Sequence, residues 1–290
     1  MNPIIEKKKA ELSMYIERHI VSEPAVKGIV AVGSIATGLA RERSDIDAVV
    51  FLEPFDLYAV PAECKWHPDQ DKFYGIMSAV ENPIQLDFKR FDLTKWSQPA
   101  HIWPEPICAE LNEGWVAFDR HNQIQPLIAK RIAYTDEIRQ ARLDEALPFL
   151  DGMLNVNDAE QNWETLGPNM AHDRLHAAYD FLVQALFAYN RRWRTWRSRE
   201  MTYLLNLPWL PVNFEEQALL VSNALSSTLD GYKNRMTLLR HFLDELVSQC
   251  QRDKIYGKDA ILEAFIRNHD EPGRDWNMDE WVETHQQRKQ

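Results

Sequence analysis

Long apolar segments and paired cysteines are both absent from this sequence of 290 residues. No apolar run approaches the roughly 20 residues that cross a bilayer, so we expect no membrane-spanning helix. Basic residues follow Ile4 and Ile5, where a secretory signal would continue as an apolar region. The three cysteines are widely separated and show neither zinc-site nor disulfide-framework spacing. These absences favour a protein of the reducing cytoplasm.

Basic residues are also scarce relative to acidic ones. The chain has 33 Lys and Arg against 44 Asp and Glu, which gives a net charge of −11. This charge argues against nucleic-acid binding through bulk electrostatics, and it favours a cationic partner. The remaining composition, 45% hydrophobic and 27% charged, is typical of a globular protein, and the length suffices for two domains.

A glycine-serine turn follows the first predicted strand. Residues 28–32 are apolar and mostly β-branched, which predicts a buried strand. Gly33 and Ser34 then allow a tight turn whose backbone N–H groups suit an anion. Arg41 and Arg43 lie on the next turn, where they either offset phosphate charge or are ordinary surface residues.

Three acidic residues occupy matching positions on two predicted strands. Asp45 and Asp47 are two residues apart at the head of a second strand, so their side chains share one face. Asp87 lies on the polar face of a later alternating strand, and Lys89 shares that face and can contact a phosphate or the carboxylate. Because Mg²⁺ prefers carboxylate and phosphate oxygens, the pattern predicts a metal site at these three residues.

In this order, the Gly33-Ser34 turn, Gly38, the Ser44-Asp45-Ile46-Asp47 segment and the Asp87 strand resemble the signature of the DNA polymerase β-like nucleotidyltransferase superfamily. The resemblance is strongest to antibiotic nucleotidyltransferases, for aminoglycosides or lincosamides, and to minimal nucleotidyltransferases with a carboxyl-terminal helical domain. It implies Mg²⁺ as cofactor and ATP or another nucleoside triphosphate as co-substrate. The implied catalytic and metal-binding residues are Asp45, Asp47 and Asp87, and the implied nucleotide-binding residues are Gly33, Ser34, Arg43 and Lys89.

The resemblance also implies a reaction. A nucleoside monophosphate passes to a hydroxyl of a small acceptor, and pyrophosphate leaves. The acceptor suggested is an aminoglycoside-type antibiotic, whose positive charge an acidic chain suits, and this would make the protein an antibiotic-resistance enzyme. AMP transfer onto a protein hydroxyl is one alternative. A non-catalytic nucleotide-binding or antitoxin-like interaction protein is another, and the subunit number stays open.

The fold expected is an α+β nucleotidyltransferase domain, a mixed twisted sheet with flanking helices, followed by an all-α domain. We place the first domain at residues 1–120 and a helical acceptor-binding domain at 121–290, with the active site between them. Residues 53–71 are expected to be loop-rich, and a strand at 73–80 is expected to form an antiparallel hairpin with the Asp87 strand. The predicted edge strand and helices are 114–119, then about 122–151, 168–192, 213–228, 231–252 and 258–268. The polar tail that follows carries Trp276 and Trp281 and is expected to dock.

Two further patterns have mainly structural explanations. His172, His176 and Asp180 share one face of a predicted helix, but further metal ligands are not evident, and Asp173, Asp180, Glu145 and Glu164 are all possible general bases. Residues 190–199 alternate arginine with tryptophan, which suits charge pairing at a helix end, phosphate contact or RNA stacking.

Arg235 and His241 resemble the loose Arg-x(4–6)-His ribonuclease motif of helical HEPN domains. Such domains often accompany minimal nucleotidyltransferases. The spacing also arises by chance on many helices, so it adds little to the functional prediction.

Overall fold

The computed structural model describes residues 2–224, 226–269, 282 and 285–288. The chain forms two compact units, Met1–Ala133 and Tyr134–Gln290. Within the described residues, no helix is long and apolar enough to cross a membrane. Trp276 and Trp281, for which docking was predicted, lie outside the described residues.

Six strands form one mixed sheet in the first unit, as the sequence predicts. They are β1 (Val26–Ala31), β2 (Ile46–Leu52), β3 (Glu63–His67), β4 (Lys72–Tyr74), β5 (Ile84–Asp92) and β6 (Trp115–Asp119). Their order across the sheet is β4-β3-β5-β2-β1-β6, so β6 is an edge strand. Only β2 and β5 are parallel, and every other neighbouring pair is antiparallel.

The predicted hairpin between residues 73–80 and the Asp87 strand is wrong. Its first strand ends at Tyr74, and β4 pairs with β3, while β5 lies between β3 and β2. The error arises because β3 occupies the segment that was expected to be loop-rich. Cys64 and Trp66 alternate there with more exposed residues and are buried in the core, and the prolines of this segment lie outside the strand.

One face of the sheet is apolar and packs against the amino-terminal helix. Helix α1 (Pro3–Tyr15) continues into a π-helix at Ile16–Ile20, and Tyr15 contacts the rings of Trp66 and Phe88. Ile84, Leu86 and Phe88 of β5 all belong to this core. Strand alternation therefore turns Gln85, Asp87 and Lys89 towards the opposite face.

Shorter helices complete the first unit, and one of them lies beyond the predicted domain boundary. They are α2 (Gly33–Ala36), α3 (Leu93–Trp96), α4 (Glu105–Glu113) and α5 (Ile124–Arg131). The Asp119 carboxylate accepts hydrogen bonds from the backbone N–H groups of Gln123, Ile124 and Gln125, which fastens α5 to the end of β6. The first compact unit includes this helix and runs to Ala133, and the helix expected over 122–151 is two helices.

The side chain of Arg120 joins the last strand of this unit to its beginning. Its guanidinium donates to the carbonyl oxygens of Ile20, Val21, Glu23 and Val26. These bonds hold the end of the π-helix and the start of β1 beside the end of β6.

The second unit is helical, as predicted. It contains α6 (Asp136–Met153), a 3₁₀ turn at Val156–Asp158, α7 (Ala159–Tyr189), α8 (Glu200–Leu205), α9 (Phe214–Ser222), α10 (Leu229–Arg252) and α11 (Ala260–His269). Apolar residues of α6, α7 and α10 form most of its core. Helix α7 is interrupted at Gly167, where φ is +75°, in the segment that was expected to connect two helices.

Candidate active site

The structure brings together the three acidic residues that the sequence singled out. Asp47 on β2 and Asp87 on β5 are direct partners in the parallel register, and Asp45 lies just before β2. One carboxylate oxygen of each residue lies within 4.8 Å of the others. All three side chains are half-buried, so a ligand can reach them.

The surroundings of Asp87 disfavour its negative charge. Burial raises the pKa of Asp87, and the charges of Glu63, Asp45 and Glu110 raise it further, while Lys89 lowers it. Glu63 lies directly opposite Asp87 on β3, so it adds a fourth carboxylate on the same face of the sheet. A cation bound among these oxygens would relieve their mutual repulsion.

The turn after β1 lies against Asp47. Gly33 has a φ of +63°, and a Cβ atom there would lie 2.3 Å from Oδ2 of Asp47. Only glycine permits this close approach, because any side chain would displace the carboxylate. The backbone N–H of Val32 also donates to the carbonyl oxygen of Asp47 at 2.9 Å, which fixes the turn beside β2.

Ser34, which follows, has a buried hydroxyl. Its Oγ has no hydrogen-bond partner among the residues that the structure describes. A buried polar atom without a partner is costly, so the hydroxyl is suited to a ligand or an ordered water. This observation is consistent with the phosphate contact implied for Ser34 by the resemblance.

The second turn of the motif is organised by Ser44. Its Oγ accepts a hydrogen bond from the backbone N–H of Arg41 at 2.9 Å, and its own N–H donates to the carbonyl oxygen of Arg41. Arg43 is exposed on this turn, just before Asp45. The turn therefore fixes the backbone that leads into the acidic residues, while the guanidinium of Arg43 lies on the surface.

Lys89 is held by a partner that the sequence did not indicate. Its Nζ donates to both carboxylate oxygens of Glu110 on α4, at 2.9 and 2.7 Å. Glu63 was missed for a similar reason, since β3 was not recognised as a strand. In the sequence, Cys64 and Trp66 alternate with polar residues, and this pattern could have revealed β3. No local pattern indicates that Lys89 pairs with Glu110.

These donors suit a hard divalent cation. Asp45, Asp47 and Asp87 offer oxygen ligands only, as Mg²⁺ prefers, and further positions can be filled by water and by substrate phosphates. Among the described residues, this is the one group of three or more such side chains close enough to share an ion.

The histidine pattern of the second unit has a structural explanation. The His172 ring packs edge-on against the rings of Trp163 and Tyr232, and burial together with the charge of Arg235 lowers its pKa. Asp180 accepts from Arg194 and Arg197, and the hydrogen bond from Arg194 is the main cause of its lowered pKa.

Side chains of the arginine-tryptophan segment, residues 190–199, likewise contact other residues of the second unit. Arg194 also donates to Glu200, and Arg191 donates to Asp136. The Trp193 ring packs on that of Tyr134. These ion pairs favour the structural explanation over RNA binding.

The Arg235 and His241 pair does not form a joint site for RNA. Arg235 is buried and donates to the carbonyl oxygens of Val221 and His172, whereas the exposed His241 pairs with Glu245 at 2.8 Å. Arg235 thereby satisfies carbonyl groups at the end of α9 and within α7, which is a structural role.

Comparisons with known proteins bear on the segment that carries these residues. A family model described as a nucleotidyltransferase domain matches residues 15–92, which include β1, β2, β5 and all three acidic residues. A nucleotidyltransferase-like protein from Exiguobacterium sibiricum 255-15 is 14% identical to the chain, covering 94% of this chain and 82% of its own, with a TM-score of 0.43. No curated protein sequence matches the chain. The matched segment, with its carboxylates and its glycine turn in the required order, is a nucleotidyltransferase domain of the polymerase β-like superfamily.

Proposed function

We propose that this chain transfers a nucleoside monophosphate from a nucleoside triphosphate to a hydroxyl of a small acceptor. The donor we propose is ATP, so the group transferred is AMP. The observation that carries the proposal is the meeting of Asp45, Asp47 and Asp87 within 4.8 Å, beside a glycine turn that accommodates Asp47. Phosphoryl transfer depends mainly on positioning the reactants and on neutralising phosphate charge, and three carboxylates this close together suit the binding of the cations that do both.

In this proposal the three aspartates bind Mg²⁺, which when bound neutralises phosphate charge and orients the triphosphate. Gly33 and Ser34 contact the phosphates through the turn amides and the buried Ser34 hydroxyl. Lys89 and, from the surface turn, Arg43 add positive charge.

The transfer itself is an in-line displacement. The acceptor oxygen attacks the α-phosphorus, a new phosphorus–oxygen bond forms, and the bond to the β-phosphate bridging oxygen breaks to release pyrophosphate. The proton of the acceptor hydroxyl passes to Asp87, which helps to activate that hydroxyl, and then to solvent.

The acceptor we propose is a polycationic, aminoglycoside-type antibiotic. The net charge of −11 attracts such a molecule, and Glu63 adds a carboxylate beside Asp87. The physiological role that follows is antibiotic resistance in the cytoplasm.

The test measures pyrophosphate release with each of the four common nucleoside triphosphates and a panel of aminoglycosides and lincosamides. We expect release that requires both Mg²⁺ and an acceptor. Asp45→Asn should abolish it, whereas Glu42→Gln, an exposed acidic residue on the neighbouring turn, should not.

Other outcomes would redirect the proposal. Nucleotide binding without pyrophosphate release under any condition would indicate a nucleotide-binding or antitoxin-like protein. Labelled AMP appearing on protein hydroxyls, rather than on the small molecules, would indicate a protein AMPylating enzyme.

A further inference from the structure

An ion pair between β5 and α4 borders the carboxylate site. Lys89 donates to both oxygens of Glu110, at 2.9 and 2.7 Å. The Glu110 side chain is 14% exposed and the Lys89 side chain 36% exposed. The carboxylate is thus the buried partner, and the ammonium is the one that a ligand can approach.

The ammonium lies on the same side of the sheet as the acidic residues. Lys89 follows Asp87 by two positions, so strand geometry places both side chains on one face, with their Cα atoms about 7 Å apart. The Lys89 ammonium and the acidic residues are therefore neighbours on this face of the sheet.

The conformational entropy of the Lys89 side chain is lost partly on folding, because Glu110 already binds its ammonium before a ligand does. A free lysine side chain has many rotamers, and fixing them costs conformational entropy. Because two hydrogen bonds to Glu110 already restrict the Lys89 ammonium, a ligand that contacts it loses less entropy on binding.

We infer that Glu110 is a positioning residue that holds the Lys89 ammonium beside Asp45, Asp47 and Asp87, where it contacts a phosphate group of the nucleotide. The inference rests on the proposed function and adds to it a residue outside the matched segment 15–92. The competing explanation is that the ion pair only fastens α4 to the sheet.

Exchanging the two charges separates these explanations. The double variant Lys89→Glu/Glu110→Lys can still form an ion pair between β5 and α4, but its ammonium starts from the helix instead of the strand. A purely structural pair would tolerate the exchange. A positioned cation would not.

Calorimetry with Mg²⁺-ATP and with Mg²⁺ plus inorganic triphosphate measures the contact directly, because the second ligand has phosphates and no base. We expect Lys89→Met to weaken both ligands about tenfold, as the loss of one charge-assisted contact would. Glu110→Gln should weaken both to a smaller degree. The exchange variant should regain the melting temperature but not the affinity, and Glu113→Gln on the same helix should change neither.

Wild-type affinity in Glu110→Gln or in the exchange variant would overturn the inference alone. If Glu110→Gln fails to fold, the exchange variant decides. A wild-type protein that binds neither ligand would overturn the proposed function together with the inference.

Discussion

Acidic side chains have opposite surroundings in the two units. In the second unit, Asp180 accepts hydrogen bonds from Arg194 and Arg197, and the bond from Arg194 is the main reason that its pKa is lowered. In the first unit, burial and the nearby charges of Glu63 and Asp45 raise the pKa of Asp87. Paired charges support a fold, whereas gathered like charges oppose it until a cation binds. Asp87 and its acidic neighbours are therefore placed for a ligand, whereas Asp180 is placed for packing.

The largest expected effect is at Asp87. Asp87→Asn should slow nucleotidyl transfer about a thousandfold, because a bound metal supplies several kcal/mol of charge stabilisation. The melting temperature without Mg²⁺ should rise, since one of several repelling charges is removed. Pyrophosphate release and thermal denaturation measure the two effects.

Asp180→Asn is the matched control in the second unit. It should lower the melting temperature because Arg194 and Arg197 lose the negative charge that both pair with, and the folded variant should retain transfer. A stability loss at Asp87 or a loss of transfer at Asp180 would contradict the contrast between the units.

Gly33→Ala tests whether the turn serves the carboxylates. The added Cβ would lie 2.3 Å from Oδ2 of Asp47, and a displacement of about 1 Å can cost a hundredfold in rate. Gly38→Ala is the control, because Gly38 also has a positive φ but its added Cβ would lie 4.0 Å from the Ile5 Cδ1 atom, an ordinary contact distance. It should cost about 1 kcal/mol of unfolding free energy with a much smaller effect on transfer. Equal rate losses would contradict the role of Gly33.

Arg194→Met tests whether buried ion pairs stabilise the second unit more than exposed ones. Arg194 is 18% exposed and its partner Glu200 is 7% exposed, so removing the guanidinium leaves the buried carboxylate with only the longer ion pair to the exposed Arg197, at 3.8 Å. We expect a loss of about 3 kcal/mol in urea denaturation. Arg191→Met breaks an exposed pair with Asp136 and should cost less than about 1 kcal/mol. Similar losses in both variants would refute the importance of burial.

The smallest effects concern pH. The pKa of Asp180 is lower in the folded state, so its stabilisation is present above the unfolded pKa of about 4 and is lost as the pH falls through the folded value. The pKa of Asp87 is higher in the folded state, so its ionisation destabilises the fold near neutral pH, and acid removes that penalty. Subtracting the Asn variants' denaturation curves from wild type should give opposite pH slopes, and slopes of one sign would refute the assignment.

Much of the site could be predicted from local sequence. Asp45 and Asp47 precede and begin a strongly apolar strand, and Asp87 alternates with Ile84, Leu86 and Phe88, so the orientation of each carboxylate follows from strand periodicity. The glycine-serine turn has its own composition signal. These features depend on residues within a few positions of one another.

Strand pairing could not be predicted in the same way. The parallel pairing of β2 with β5 joins segments that are distant in the sequence. The position of β3 between β5 and β4 is likewise not indicated by the residues near it. The Lys89–Glu110 pair depends on where α4 packs on the sheet, and that is decided by the whole core.

The contacts of Arg120 indicate how long an independently folding fragment needs to be. The family segment ends before β6, yet β6 pairs with β1 and carries the residue that binds four carbonyl groups near the amino-terminal end of the sheet. A fragment cut to the segment would expose the edge of β1, whose Ile29 and Val30 are fully buried in the intact chain. An expression fragment of the first unit should therefore run from Met1 through Ala133.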